Sequence, residues 1–339
     1  MRRILTGVPF YRHELATCLF STVGEALSHA QRDVALALGA GWDFWYTPGA
    51  IGREEYYFPV PEGSLAEALC PGQRVTSVWR TTNDAERAWH DIRELIIDGQ
   101  VAIVAVDNFY LPFRPAYGDV HANHLVVVHG FDDERRLVYV VDAMPPAYRG
   151  PLALADLQRA RSSDHREGGR PDRYFAGSPV AHRELRLTFG RQPEMDADWL
   201  VGVMRANLTR LLAPANGGLR GISAIFTLAD MAEAADPADP SQRRLFEDLV
   251  VFTAAARSQR ALHGEFLRRA GARLGQPRLR RVARALDRAA SGWVALRMLG
   301  SRELAGHPAT APRRVAERLR CIGTRERAAA TELHDVLGR

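Results

Sequence analysis

His124-Leu-Val-Val-Val-His-Gly-Phe-Asp-Asp-Glu-Arg-Arg-Leu-Val-Tyr-Val-Val-Asp142 is the stretch whose reading decides the fold. Two runs rich in β-branched residues, Leu125 to Val128 and Leu137 to Val141, flank the polar turn Asp132-Asp133-Glu134-Arg135. That is the pattern of an antiparallel hairpin. An imidazole starts one strand and a carboxylate ends the next, so pairing brings His124 and Asp142 to the same end of the hairpin. Far upstream, Cys18 stands at the front of an apolar-periodic stretch. Thiol at a helix start, then base, then orienting carboxylate is the order of a papain-like cysteine site.

Around this stretch the first half of the chain mixes helices and strands. Glu14 to Ala30 carries Leu15, Leu19, Val23 and Leu27 on one helical face, and Ala85 to Ile97 reads as a second helix ended by Asp98-Gly99. Val101 to Val106 is a buried strand, and a further strand is expected over Glu184 to Thr188. Gly39-Ala-Gly41 interrupts regular structure before Trp42, Phe44, Trp45 and Tyr46, an aromatic group suited to core packing or to the wall of a pocket. Arg161 to Gly177 is a polar connection. Beyond about Met195 the chain is dominated by Ala, Leu and Arg with helical periodicity. The expected fold class is therefore α+β: a papain-like domain with an antiparallel sheet over residues 1–190, then a mainly helical region over 191–339.

Of the 339 residues, 46% are hydrophobic and 25% charged, the profile of a folded globular protein with ample core. No apolar run is long enough to cross a bilayer and no signal-peptide core follows Met1, so a cytoplasmic protein without a membrane partner is expected. The three cysteines, Cys18, Cys70 and Cys321, have neither disulfide nor metal spacing. The net charge is +5 and every basic side chain is arginine, so only the chain terminus offers an amine for accidental acylation. Arg278-Leu-Arg-Arg281 and Arg313-Arg314 read as solvated helix faces, and no nucleic-acid partner is expected. The Ala-rich helices of the second half could form a homodimer face or a domain core.

The setting suits nucleophilic chemistry. A thiol in the first turn of a helix feels the positive end of the dipole and its unpaired amides, which favour the thiolate, and a neighbouring imidazole lowers its pKa further. The backbone amide of Cys18 is a natural oxyanion donor. His121 and His129 compete with His124 as base; His124 is preferred because it directly precedes the Val-rich strand. Asp132 and Asp133 compete with Asp142 but belong to the turn. His121-Ala-Asn-His124 lacks further ligands at metal spacing, so no metal and no cofactor are expected. Asp107-Asn-Phe-Tyr-Leu-Pro-Phe113 follows a strand end, where Asp107 could contact a polar acceptor and Tyr110 could line an acyl channel.

These segments together resemble the butirosin biosynthesis protein H family: the thiol-bearing helix followed by Gly-Ala-Gly-Trp-Asp-Phe-Trp-Tyr, then Ile-Asp-Gly-Gln-Val-Ala-Ile-Val-Ala-Val-Asp-Asn-Phe-Tyr-Leu-Pro-Phe, then His-Leu-Val-Val-Val-His-Gly-Phe-Asp and Val-Tyr-Val-Val-Asp. The likeness covers roughly Gly7 to Ser163. It implies a fold akin to the family C39 cysteine peptidases, with Cys18, His124 and Asp142 in the matching catalytic places. It also implies a bacterial acyltransferase of natural-product biosynthesis. Its substrate would be an acyl group held as a thioester on the phosphopantetheine arm of an acyl or peptidyl carrier protein, passed to a small-molecule amine or hydroxyl. The pantetheine belongs to that substrate and is not a resident cofactor. In one departure, Thr17 stands where the family often has histidine before the cysteine, the nearest upstream histidine being His13; Thr17 is thus a candidate substrate contact. A thioesterase or cyclase would use the same residues, and a peptidase would need an extended groove. Trp199 to Leu212 or Phe246 to Phe266 could close the site against water.

Overall fold

The computed structural model describes residues 1–60, 62–213, 219–306 and 311–338. In chain order the elements are β1 (Arg2–Ile4), α1 (Cys18–His29), α2 (Val34–Leu38), β2 (Trp45–Tyr46), α3 (Leu65–Leu69), β3 (Val75–Arg80), α4 (Ala85–Ile97), β4 (Ala102–Asp107), β5 (Val120–His121), β6 (Asn123–Asp132), β7 (Leu137–Asp142), β8 (Tyr148–Ala153), α5 (Leu154–Ser162), β9 (Arg170–Pro171), β10 (Glu184–Phe189), α6 (Ala197–Leu212), β11 (Leu219–Arg220), α7 (Gly221–Ala234), α8 (Pro240–Arg273), α9 (Leu279–Gly306) and α10 (Ala311–Leu337). The fold is α+β, as expected: an antiparallel sheet in the first half and helices in the second.

The main sheet has seven strands in the order β3-β10-β4-β6-β7-β8, with β1 added alongside the far part of β6. β6 is its centre. All ten residues of that strand are buried, because helices cover the sheet and its Val-rich run has no wet face. The helix α1 packs across β6, and Leu19, Val23 and Leu27 join Val126, Val128 and Val140 in one apolar cluster. On α4, Ala88, Ile92 and Ile96 recur at helical spacing and turn inward, while Asp84 caps the helix by accepting from the amides of Glu86 and Arg87.

Most expected elements appear close to their expected bounds. The thiol-bearing helix begins at Cys18 rather than Glu14, because Thr17 is extended and ends the preceding turn. The strand expected over Leu125 to Val128 runs on to Asp132, carried by its pairing with both β7 and β1. Two outer strands, β3 and β8, had no clear signal; β8 contains Gly150 and Pro151, which only an edge strand tolerates.

The helices of the second half pack onto residues of the first. α8 and α9 form a long antiparallel hairpin, and α10 lies against α7 and α9. Trp42 sits in the cluster formed by α6, α8, α9 and α10, and Phe44 and Tyr46 sit in the one formed by α7, α8, α9 and α10. Trp42, Phe44 and Tyr46 are therefore core, whereas Trp45 is half-buried with the Arg220 guanidinium 4.9 Å from its ring centre. At the centre of this junction Arg260 and Glu326 form a fully buried pair, with bonds of 2.9 Å from both Nε and Nη2. The indoles of Trp42 and Trp293 donate to the same carboxylate, and Arg260 also donates to the carbonyl of Asp43. The two-stranded ladder of β2 with β11 ties the halves at a further place. Among the described residues no helix is long and apolar enough to cross a membrane.

Candidate active site

β4 and β6 pair Val106 with His124 and Asp107 with Asn123. Side chains alternate along a strand, so His124 and Asp107 lie on opposite faces of the sheet. The face bearing His124 is the one covered by the start of α1. Cys18 is the first helical residue there and is completely buried. Asp142 closes β7, and its Oδ2 lies 2.8 Å from Nε2 of His124. The same carboxylate accepts from Arg114 at 3.2 Å and from the amide of Met144 at 2.9 Å. Arg114 in turn donates to the carbonyl of Met144 at 3.1 Å.

With Nε2 engaged, Nδ1 of His124 is buried without a hydrogen-bond partner. It faces Glu55, whose Oε2 is 3.9 Å away, and a Glu55 oxygen, a His124 nitrogen and the Cys18 sulfur all lie within 4.8 Å of one another. Sulfur, nitrogen and oxygen at that separation are also a donor set that zinc accepts. Glu55 is 28% exposed, whereas Cys18 and His124 are sealed. Glu55 therefore marks the side on which the site approaches solvent.

The electrostatics depart from the expectation of a thiolate favoured by its helix. Burial first, and then the Glu55 carboxylate, push the Cys18 thiol well above its usual range, and the amide of Leu125 and the Arg114 cation offset this only in part. This environment favours the neutral thiol over the thiolate. Asp142 behaves oppositely. Burial alone would raise it, but His124, Arg114 and the amide of Met144 together hold it below the usual carboxylate range. Two turns along α1, Glu25 is completely buried, and burial with the nearby Asp142 charge pushes it up to about 9.

The structure thus brings Cys18, His124 and Asp142 together. Thr17 adjoins them: its hydroxyl is buried, makes no capping bond and has no hydrogen-bond partner. Asp107 and Tyr110 stand elsewhere. Oδ2 of Asp107 lies 2.6 Å from Nδ1 of His121 and accepts from Ser163 at 2.6 Å, while Oδ1 accepts from the amides of Phe109 and Ala122. His121 completes this knot through Nε2, 2.7 Å from the carbonyl of Glu167, and stacks on Phe109. Asp107 therefore fastens the connection from Arg161 to Gly177 to the sheet, on the face away from Cys18. Tyr110 donates to Glu167 in the same assembly. His129 contacts the carbonyl of Leu5.

The segment that carries these residues has a counterpart among known families. Residues 17–143 match the model of the butirosin biosynthesis protein H N-terminal family. The matched segment begins at the residue before the nucleophile candidate and ends one residue after Asp142, so it contains the whole constellation. The family takes its name from antibiotic biosynthesis and points to a biosynthetic enzyme. No curated protein matches the chain.

Sequence reasoning missed Glu55 and Arg114. Arg114 directly follows the Asp107 to Phe113 stretch, and extending that strand-end argument by one residue would have reached it. Glu55 lies in Arg53-Glu-Glu-Tyr-Tyr57, an irregular loop whose composition carries no sign of which acid turns inward.

Proposed function

We propose that the protein is a cysteine acyltransferase that takes an acyl group from a carrier-protein thioester onto Cys18 and passes it to an amine or hydroxyl. The observation that carries this reading is the division of labour at His124. One nitrogen is held by an ionised carboxylate, and the other is buried, unpartnered and aimed toward the thiol. An imidazole so placed is a base waiting for a proton.

The first step moves the Cys18 proton to Nδ1 of His124 as sulfur attacks the thioester carbonyl. The tetrahedral oxyanion forms beside the free amides at the start of α1 and the unpartnered hydroxyl of Thr17. Collapse breaks the bond to the pantetheine sulfur, which leaves with the proton from His124. In the second step His124 takes a proton from the incoming amine as its nitrogen attacks, and collapse returns that proton to Cys18. Exchange of one thioester for another is nearly balanced, and amide formation draws the sequence forward. The sealed position of Cys18 protects the acyl-enzyme from water. α8 contributes to that seal, since Ser258 donates to the carbonyl of Leu15 just before the nucleophile.

The test is intact-mass measurement after mixing with acyl-carrier thioesters. An acyl increment that survives in Cys70→Ala and Cys321→Ala and vanishes in Cys18→Ala supports the reading; an adduct that persists without Cys18 refutes it. Products with and without an added amine separate transfer from hydrolysis or cyclisation. Stoichiometric zinc in the purified protein, lost in Cys18→Ala, would instead assign the three donors to a metal.

A further inference from the structure

Two arginines of the helical half stand near the Glu55 side of the site, and among the described residues neither has a carboxylate or carbonyl partner. Arg257 precedes Ser258, the residue of α8 that bonds to the carbonyl of Leu15. Arg297, on α9, lies over the ring of Phe175 at 5.3 Å, and the carbonyl of Phe175 accepts from the amide of Asn123, immediately before His124. Contacts of Phe252 with Trp293 and of Val250 with Gly300 put the two arginines on the same stretch of the hairpin, about one to two and a half helical turns apart along its axis, and Arg257 feels the positive charge of Arg297. Each feels the charge of Glu55, the acid at the mouth of the site, and Arg297 also that of Asp172. Neither carboxylate comes within ion-pair distance of them. Among the described residues neither arginine forms a salt bridge or hydrogen bond, and Nε of Arg257 is buried with no acceptor.

Two neighbouring, partly buried guanidiniums with unfilled donors oppose each other there, and burial disfavours the charged form of both. A protein that needed them only as solvated surface would leave them in water. Their planar donor forks match an oxyanion held in two-point fashion. A pantetheine phosphate is separated from the reacting thioester by the whole length of the arm, so an anion beside Cys18 belongs to the acyl group or to the acceptor.

We infer that Arg257 and Arg297 form a carboxylate-binding subsite at the mouth of the active site, selecting an acyl group or acceptor that carries a carboxylate near its reacting carbon. This rests on Cys18 as the reacting residue, and it gives the helical half a part in substrate choice.

Iodoacetate and iodoacetamide differ by one carboxylate and report on this directly. Their alkylation rates at Cys18 are measured by mass spectrometry in the wild type and in R257Q/R297Q, with Cys321 as internal reference. The expected result is a several-fold fall in the iodoacetate-to-iodoacetamide ratio at Cys18 in the variant, with the iodoacetamide rate and the Cys321 ratio unchanged. An unchanged Cys18 ratio overturns the inference. A thermal melt keeps the inference open to refutation if Cys18 labels too slowly: malonate should raise the wild-type melting temperature saturably and leave that of R257Q/R297Q unmoved. Equal shifts, no shift, or a shift with inorganic phosphate alone overturn it. Without added anion the variant should melt no lower than the wild type; a lower melt makes the pair structural partners of Glu55. Loss of the carboxylate preference with acyl adducts still forming would reject this subsite alone. Absence of adducts with the preference intact would reject only the acyl-transfer reading.

Discussion

Arg114 donates at 3.2 Å to Oδ2 of Asp142, the oxygen that also lies 2.8 Å from Nε2 of His124. The cation helps keep this buried carboxylate ionised, and the carboxylate fixes the ring so that Nδ1 looks toward Cys18. Asp142→Asn should lower the rate of acyl-enzyme formation by about 1000-fold or more, since the wrong tautomer is then held. Arg114→Gln should cost about tenfold, the scale of one charge-assisted hydrogen bond. It should also move the acidic limb of the pH profile upward, because removing the cation raises the pKa of Asp142. Single-turnover acylation across pH checks both.

The Cys18 thiol is raised first by burial and next by Glu55. Its alkylation by neutral iodoacetamide should therefore climb through the alkaline range without the low-pH plateau of a preformed thiolate. Glu55→Gln removes the adjacent negative charge, stabilises the thiolate and should shift the whole profile to lower pH. A profile unmoved by this substitution would remove Glu55 from the electrostatics of the thiol.

Glu25 offers a stability prediction with a definite sign. Its folded pKa, about 9, lies above the ordinary value of 4.5, so between these limits the folded state keeps a proton that the unfolded state has lost. Stability from this group is fully present below the lower value and falls as pH rises through the window. Glu25→Gln mimics the protonated form and should stabilise the protein at neutral pH, by up to about 3 kcal/mol, with little effect at pH 4. Melting curves at the two pH values decide the matter.

Arg260 and Glu326 are buried together, and removing either leaves the other charge stranded. Arg260→Met or Glu326→Leu should each cost about 3 to 5 kcal/mol in urea unfolding, and the double substitution Arg260→Met with Glu326→Leu clearly less than the sum.

The hairpin, the thiol-bearing helix and the helical second half were legible because each rests on local periodicity: two for the strands, nearly four for the helices. His124 and Asp142 followed from strand ends. Asp107 shows where that logic stops. It too sits at a strand end, but one residue of alternation turns it to the opposite face, where Ser163 and His121 take it up. Glu55 comes beside Cys18 and His124 from an irregular loop, and no local pattern records such a meeting. The thiol pKa escaped for a related reason: the helix start is visible in the chain, but the depth of burial is set by everything packed around it.

α8 is about 50 Å long and meets the first half at intervals along its length: Arg244 at Ile51, Ser258 at Leu15, His263 at Gly39, and Arg269 and Arg273 at Asp33. A helix fastened at so many levels acts as a spine, and unfolding one half strips the other of its partners. The chain should accordingly melt in a single cooperative transition, and proteolysis under native conditions should release no stable catalytic fragment. Recombination between relatives would then have to exchange the second half together with the segment from Asp33 to Ile51 that it grips.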